Sequence, residues 1–118
     1  MKPGYLYIFE NELMPGVLKI GRTSRRPEQR VRELFTTGVP IPFTIRFAVE
    51  VDDPAAVEFE VHQALDQFRV NSNREFFRIH LPYAIEAIET ILYGYSYSSE
   101  IHQTNLEFMT GEVEWEVW

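Results

Sequence analysis

Cysteine is missing from this chain altogether, and that one absence removes a disulfide framework, a zinc–thiolate site and a thiol nucleophile. Any metal must be held by oxygen or imidazole, which points toward magnesium or manganese. Long apolar runs are missing too, since none approaches the ~18 residues that a membrane helix needs. The chain opens Met1-Lys2-Pro3-Gly4 and passes directly into a strand pattern, so no secretory signal is read and a soluble cytoplasmic protein without membrane contact is expected. Positive charge is absent from the last third: the final forty residues carry seven Glu and no Lys or Arg. Internal repeats, low-complexity blocks and a second domain are absent as well.

What remains is 118 residues, one domain by length, with 45% apolar and 14% aromatic content that suits a folded core and argues against disorder. The net charge of −7 is misleading about its distribution. Up to Arg78 the eleven basic and eleven acidic residues cancel, and the whole deficit belongs to the C-terminal segment. Within the balanced part Arg22, Arg25, Arg26, Arg30 and Arg32 crowd into eleven positions. A local basic patch, rather than the total charge, decides whether a phosphate backbone can dock.

Tyr5 to Phe9 and Val17 to Ile20 read as two strands of a hairpin closed by Asn11–Gly16. A helix is expected from Pro27, a residue favoured at the first helical position, with Val31, Leu34 and Phe35 as its apolar stripe. Gly38, Pro40 and Pro42 end it. Phe43, Ile45, Phe47, Val49 and Val51 alternate with polar residues as a third strand. Asp53 is the expected N-cap of a second helix with Val57, Val61, Ala64, Leu65 and Phe68 inward. After a turn at Asn71-Ser72-Asn73, the run Glu75 to Ile79 fits no single element type, and Tyr93 to Gln103 fits none either. A third helix is expected over Pro82 to Leu92, and Val113, Trp115 and Val117 alternate with Glu at the end. The order describes a small α+β domain: a short mixed or antiparallel sheet, hairpin plus third strand, flanked by about three helices. Residues 1–80 would form its core, and 81–118 a C-terminal helix and acidic strand-like extension of the same domain.

Tyr5-Leu6-Tyr7, Lys19-Ile20-Gly21-Arg22-Thr23 and Arg30, followed by Thr36-Thr37-Gly38-Val39-Pro40, Glu58-x-x-x-His62 and Arg74-Glu75-Phe76-Phe77, form an ordered set. This set resembles the GIY-YIG nuclease superfamily, and within it the T5orf172/MUG113-like branch, over about residues 4 to 80. The resemblance implies a metal-dependent endonuclease, a phosphodiester hydrolase acting on nucleic acid, with DNA the expected substrate. It implies catalytic roles for Tyr7, Lys19, Arg30 and His62. Tyr7 matches the tyrosine that orients or deprotonates the attacking water. Lys19 stands where the second motif's tyrosine usually sits. A solvated lysine titrates near ~10.4, so acting as a base at neutral pH would need a lowered pKa. Arg30 matches the arginine that grips the scissile phosphate through its planar fork. Glu58 matches the single carboxylate that holds Mg²⁺ or Mn²⁺, and Gly21 serves the backbone of the motif.

Each of these residues also has an ordinary reading. Tyr7 would pack on a sheet face, Lys19 would face solvent, and Glu58 would lie on a solvated helix face. His62 divides evenly between a hydrogen-bonded structural histidine and a site residue. Glu75 reads as a cap or ion pair before a metal ligand. Arg22, Arg25, Arg26 and Arg32 form either a charged surface or a set of contacts to a nucleic-acid backbone. The rival function is a non-catalytic nucleic-acid-binding or regulatory protein on a degenerate GIY-YIG scaffold. The acidic C-terminal segment suggests an edge strand, a cover for the arginines, or a surface for a homodimer or protein partner.

Overall fold

β1 (Gly4–Glu10) is apolar on both sides, and both of its sides are covered. The computed structural model describes residues 2–36, 38–71 and 75–102. β2 (Val17–Thr23) returns antiparallel to β1, and β3 (Thr44–Val51) pairs antiparallel with its other edge. β4 (Phe76–Arg78) adds to β2 and β5 (Tyr97–His102) to β3, giving a five-stranded antiparallel sheet in the order β4-β2-β1-β3-β5. The helices α1 (Pro27–Leu34), α2 (Pro54–Ala64) and α3 (Leu81–Leu92) complete a small α+β domain. The two stretches without an evident sequence type are therefore the edge strands β4 and β5, and no strand pair among the described residues is parallel. The alternating acidic segment at 107–118 lies outside the described residues, as do Arg74 and the Ser72-Asn73 part of the expected turn.

Strand alternation divides the core in two. Leu6, Ile8, Leu18 and Ile20 face α2 and α3, meeting Val57, Val61, Ile85, Ile88 and Leu92. Burying each of the larger aliphatic side chains there contributes roughly 1.5–3 kcal/mol relative to exposure. Tyr7 and Phe9 face the other way, packing with Phe43, Ile45 and Ala48 beneath Val31 and Leu34 of α1. The third strand supplies residues to both layers even though its sequence alternates without a break. Its pairing with β1 shifts at Ile8/Phe9, so that Phe47 opposes Ile8 but Ile45 opposes Phe9, and Arg46 is the extra residue. This bulge turns Phe43 and Ile45 to the α1 side while Phe47, Val49 and Val51 stay on the other.

The expected helix signals hold at the starts more than at the ends. Pro27 opens α1, and the Asp53 carboxylate accepts the Ala56 amide at 3.2 Å, capping α2. α1 stops at Leu34, leaving Phe35 exposed, and α2 gives way after Ala64 to a 3₁₀ turn (Asp66–Phe68). Ala64 and Phe68 lie exposed, off the inward face, whereas Val57, Val61 and Leu65 stay on it. No helix of the described residues is long and apolar enough to cross a membrane.

The β1–β2 loop is closed by Asn11, which is only 2% exposed. Its Oδ1 accepts the Leu13 amide at 2.9 Å and its Nδ2 donates to the Ile41 carbonyl at 2.7 Å. Gly16 ends the loop at φ +80°, a conformation suited to glycine. Replacing Asn11 with Ala removes both hydrogen bonds from this partly buried loop. The expected loss is about 1–3 kcal/mol of stability, measured as a lower urea midpoint with an unchanged slope.

Candidate active site

Tyr7 occupies the middle of the sheet, opposite Gly21 on β2 and Ala48 on β3. Directly opposed residues share a face, so the ring is flanked by the two smallest side chains available. Its ring stacks on Phe9 at 3.8 Å between centroids, and the residue is 1% exposed. A methyl group built on Gly21 would come within 2.6 Å of the Tyr7 hydroxyl and 2.5 Å of Glu75 Oε1. The missing side chain thus creates the small space in which a phenol and a carboxylate face each other.

From α1, the Arg30 guanidinium pairs with the Tyr7 hydroxyl, which raises the pKa of the guanidinium and keeps it charged. Burial pushes the phenol up from 10 to about 12. The Arg30 bond opposes that rise, and the nearby Glu75 and Glu58 carboxylates add to it. At physiological pH Tyr7 is therefore a neutral hydroxyl beside the Arg30 guanidinium, with its own proton to donate. Lys19, on the same face of β2 as Gly21, reaches Glu75 Oε1 at 3.0 Å and lies 5.2 Å from the centre of the Phe76 ring.

The opposite face of β2 carries a second group. Glu58 on α2 accepts Arg22 Nε at 3.0 Å through Oε1, while its Oε2 is buried without a hydrogen-bond partner and lies 4.0 Å from His62 Nε2. His62 Nε2 donates to the Ile20 carbonyl at 2.8 Å, and its ring packs on Phe77. These residues line a groove of about 640 Å³ with Phe59, Gln63, Asp66 and Arg69. The two groups meet where β4 ends. Its ladder with β2 stops at Lys19, and beyond that point the Ile20 amide is held by the Glu75 carbonyl at 2.9 Å and the Ile20 carbonyl by His62.

The sequence-predicted residues thus fall into two neighbouring sets: Tyr7, Lys19, Gly21 and Arg30 on the α1 side, Arg22, Glu58 and His62 on the α2 side. One nitrogen of His62 has a structural task, tying α2 to the sheet. Arg25 bonds Glu33 at 2.7 Å, holding that carboxyl below its usual range, and Arg26 pairs with Glu28 at 3.4 Å. Arg32 lies exposed on α1. Glu60 turns away to meet the Tyr95 hydroxyl. Glu75 was underweighted in the sequence because only the pairing of β4 with β2 brings it to Gly21 and Tyr7. A glycine facing a tyrosine across a hairpin was the available signal that something else fills the gap.

No group of three or more His, Asp or Glu that could hold a metal occurs among the described residues. The unpartnered Oε2 of Glu58 fits a different kind of site. A buried carboxylate oxygen without a partner is costly, and a single carboxylate suits a hydrated Mg²⁺, which keeps most of its waters.

A buried tyrosine beside a partly exposed arginine on one face of the sheet, and the Glu58 groove on the other, characterise this small α+β domain. The chain belongs to the T5orf172 domain family, whose model matches residues 4–92 and so takes in α3 as well as the motif region. That family is compatible with nuclease-like or other nucleic-acid-related function. No curated protein and no solved structure matches the chain.

Because Tyr7 titrates near 12 in the folded chain against 10 for an ordinary tyrosine, its burial favours the folded state fully below pH 10. That contribution is lost as pH rises from about 10 to about 12, where the unfolded chain releases the proton first. The expected loss over this interval is about 2–3 kcal/mol, and Tyr7→Phe should flatten this part of the stability profile. Gly21→Ala should cost about 1–3 kcal/mol, seen in urea unfolding, because the buried, stacked Tyr7 ring cannot move aside.

Proposed function

We propose that this protein is a metal-dependent endonuclease of the GIY-YIG type that hydrolyses phosphodiester bonds in DNA. The observation that carries this reading is the convergence of the Tyr7 hydroxyl and the Lys19-paired Glu75 carboxylate on Gly21, with the Arg30 guanidinium beside the phenol. A buried neutral phenol held by a partly exposed guanidinium, next to the Lys19 ammonium, serves phosphate chemistry better than it serves packing. Arg30 presents its remaining donors to the scissile phosphate as a planar fork. Lys19 adds positive charge where negative charge grows in the transition state. Tyr7 positions the attacking water by a hydrogen bond; with a pKa of about 12 it is a poor acceptor of protons near neutrality.

Glu58, with its unpartnered oxygen, is the residue that would hold Mg²⁺ or Mn²⁺. When bound there, such an ion supplies charge stabilisation to the leaving 3′ oxygen. Tyr7 and Lys19 come from one face of β2 and Glu58 from the other, an order that suits attack and departure on opposite sides of phosphorus. His62 keeps α2 against the strand and so keeps Glu58 in reach of the cleft. Arg22, Arg25, Arg26 and Arg32 supply the charge to engage the nucleic-acid backbone.

One observation favours a second reading, a nucleic-acid-binding protein without catalysis. Arg22 already takes Glu58 Oε1 at 3.0 Å, and an arginine there competes with a cation for the carboxylate. Nicking of supercoiled plasmid in Mg²⁺ or Mn²⁺ separates the two. Cutting is expected, abolished by EDTA and reduced roughly 10²–10³-fold in Arg30→Ala and Glu58→Ala. Salt-sensitive binding with intact plasmid in both metals would overturn the nuclease reading in favour of the second. A parallel arm with RNA of the same sequence tests the assignment to DNA.

A further inference from the structure

Hydrolysis needs an acceptor for the proton of the attacking water, and the two motif residues at this position are poorly suited to accept it. Tyr7 is a neutral phenol held by Arg30, and Lys19 is committed as a cation to Glu75 at 3.0 Å. Glu75 is the remaining group in the same space. Its carbonyl is fixed to the Ile20 amide at 2.9 Å, and its Oε1 stands over Gly21 on the side where the Tyr7 hydroxyl also points. Its side chain is 41% exposed, and the same Oε1 accepts Lys19 Nζ.

We infer that Glu75 is the catalytic base, the carboxylate that takes the proton from a water positioned by the Tyr7 hydroxyl above Gly21. The inference rests on the phosphodiester-hydrolase reading of the site. As the water oxygen bonds to phosphorus, one of its protons passes to the Glu75 carboxylate. The bond from phosphorus to the 3′ oxygen breaks, and that oxygen leaves with the electron pair and takes a proton from solvent. Lys19 on β2 and, beyond Tyr7 of β1, Arg30 on α1 are the cations facing this point. From α2 the facing groups are Glu58, paired with Arg22, and His62, whose ring holds the carbonyl of the same Ile20. The glycine is then required by the chemistry as well as by the strand, because any side chain would collide with the Tyr7 hydroxyl and the Glu75 carboxylate and push them from their places.

The test is steady-state nicking by the full chain and its Glu75→Gln, Glu75→Asp and Glu75→Ala variants, with folding checked by circular dichroism. Glu75→Gln should lose roughly 10²–10³-fold in kcat without a rise in KM, since the freed Lys19 still binds phosphate. Its half-saturating Mg²⁺ concentration should equal that of the wild type, whereas Glu58→Gln should need more. Glu75→Asp should retain part of the rate, and added formate should restore part of it to Glu75→Ala but not to Glu58→Ala. Wild-type kcat should be level between about pH 8 and 10, because a base that is already ionised gains nothing there. A rate climbing tenfold per pH unit across that range would assign the proton to a weaker acid such as Tyr7 and overturn the inference. A Glu75→Gln variant that cuts at the wild-type rate, or that only shifts the Mg²⁺ requirement, would overturn it while leaving the nuclease reading intact. A wild type that cuts under neither metal would remove both.

Discussion

The burial of the Tyr7 phenol in the central strand, beside the Arg30 guanidinium, is the constraint on which the rest of this architecture depends. A phenol at 1% exposure needs a partner, and Arg30, midway along α1, stands beside it. Satisfying it fixes α1 over the Phe9, Phe43 and Ile45 layer. It also requires small neighbours on both sides of the ring, which Gly21 and Ala48 supply. Those neighbours open the space that Glu75 and Lys19 enter from the β2–β4 edge. One buried polar atom therefore sets a helix position, two side-chain sizes and the location of two charges.

The sheet itself was legible where the local signals were strong. Tyr5 to Phe9 and the Pro15-Gly16 turn announce a hairpin, and Pro27 and Asp53 announce helix starts, because these signals act within a few residues. β4 and β5 were not legible, since a three-residue strand owes its existence to the edge it joins. The bulge at Arg46 was hidden for a similar reason. Phe43 through Val51 alternates without interruption, and only the pairing with β1 shows that the two halves face opposite layers. The end of α3 at Leu92 falls where the sequence placed it, whereas no residue marks the switch to 3₁₀ geometry after Ala64.

In the candidate site, single residues could be named from the sequence but their groupings could not. Tyr7, Lys19, Arg30, Glu58 and His62 stand out by motif. That they divide between the two faces of β2, with the sheet edge between them, depends on register. The same register explains why Glu75 looked secondary. In sequence it sits forty-five residues from Arg30; in space its carboxylate shares a pocket with the tyrosine that Arg30 holds. His62 shows the reverse case, because its even spacing from Glu58 suggested chemistry and its geometry adds a structural bond to Ile20.

The ion pairing of the arginines changes how the basic cluster should be understood. Arg22, Arg25, Arg26 and Arg30 each have a carboxylate within 3.4 Å, so the surface offers less free positive charge than the sequence suggests. These pairs are largely exposed on the arginine side, and exposed pairs contribute only about 0–1 kcal/mol each. A polyanion offering several phosphates can therefore displace the carboxylates at small cost, with counterion release in its favour. The Arg22–Glu58 pair differs, because Glu58 is mostly buried and its second oxygen is unpartnered. On the reading proposed above, drawing Arg22 toward a phosphate would leave a buried carboxylate with no cation beside it, an arrangement that a hydrated divalent ion would relieve. Backbone engagement by Arg22 and cation binding at Glu58 would then favour one another, since each removes the competitor of the other.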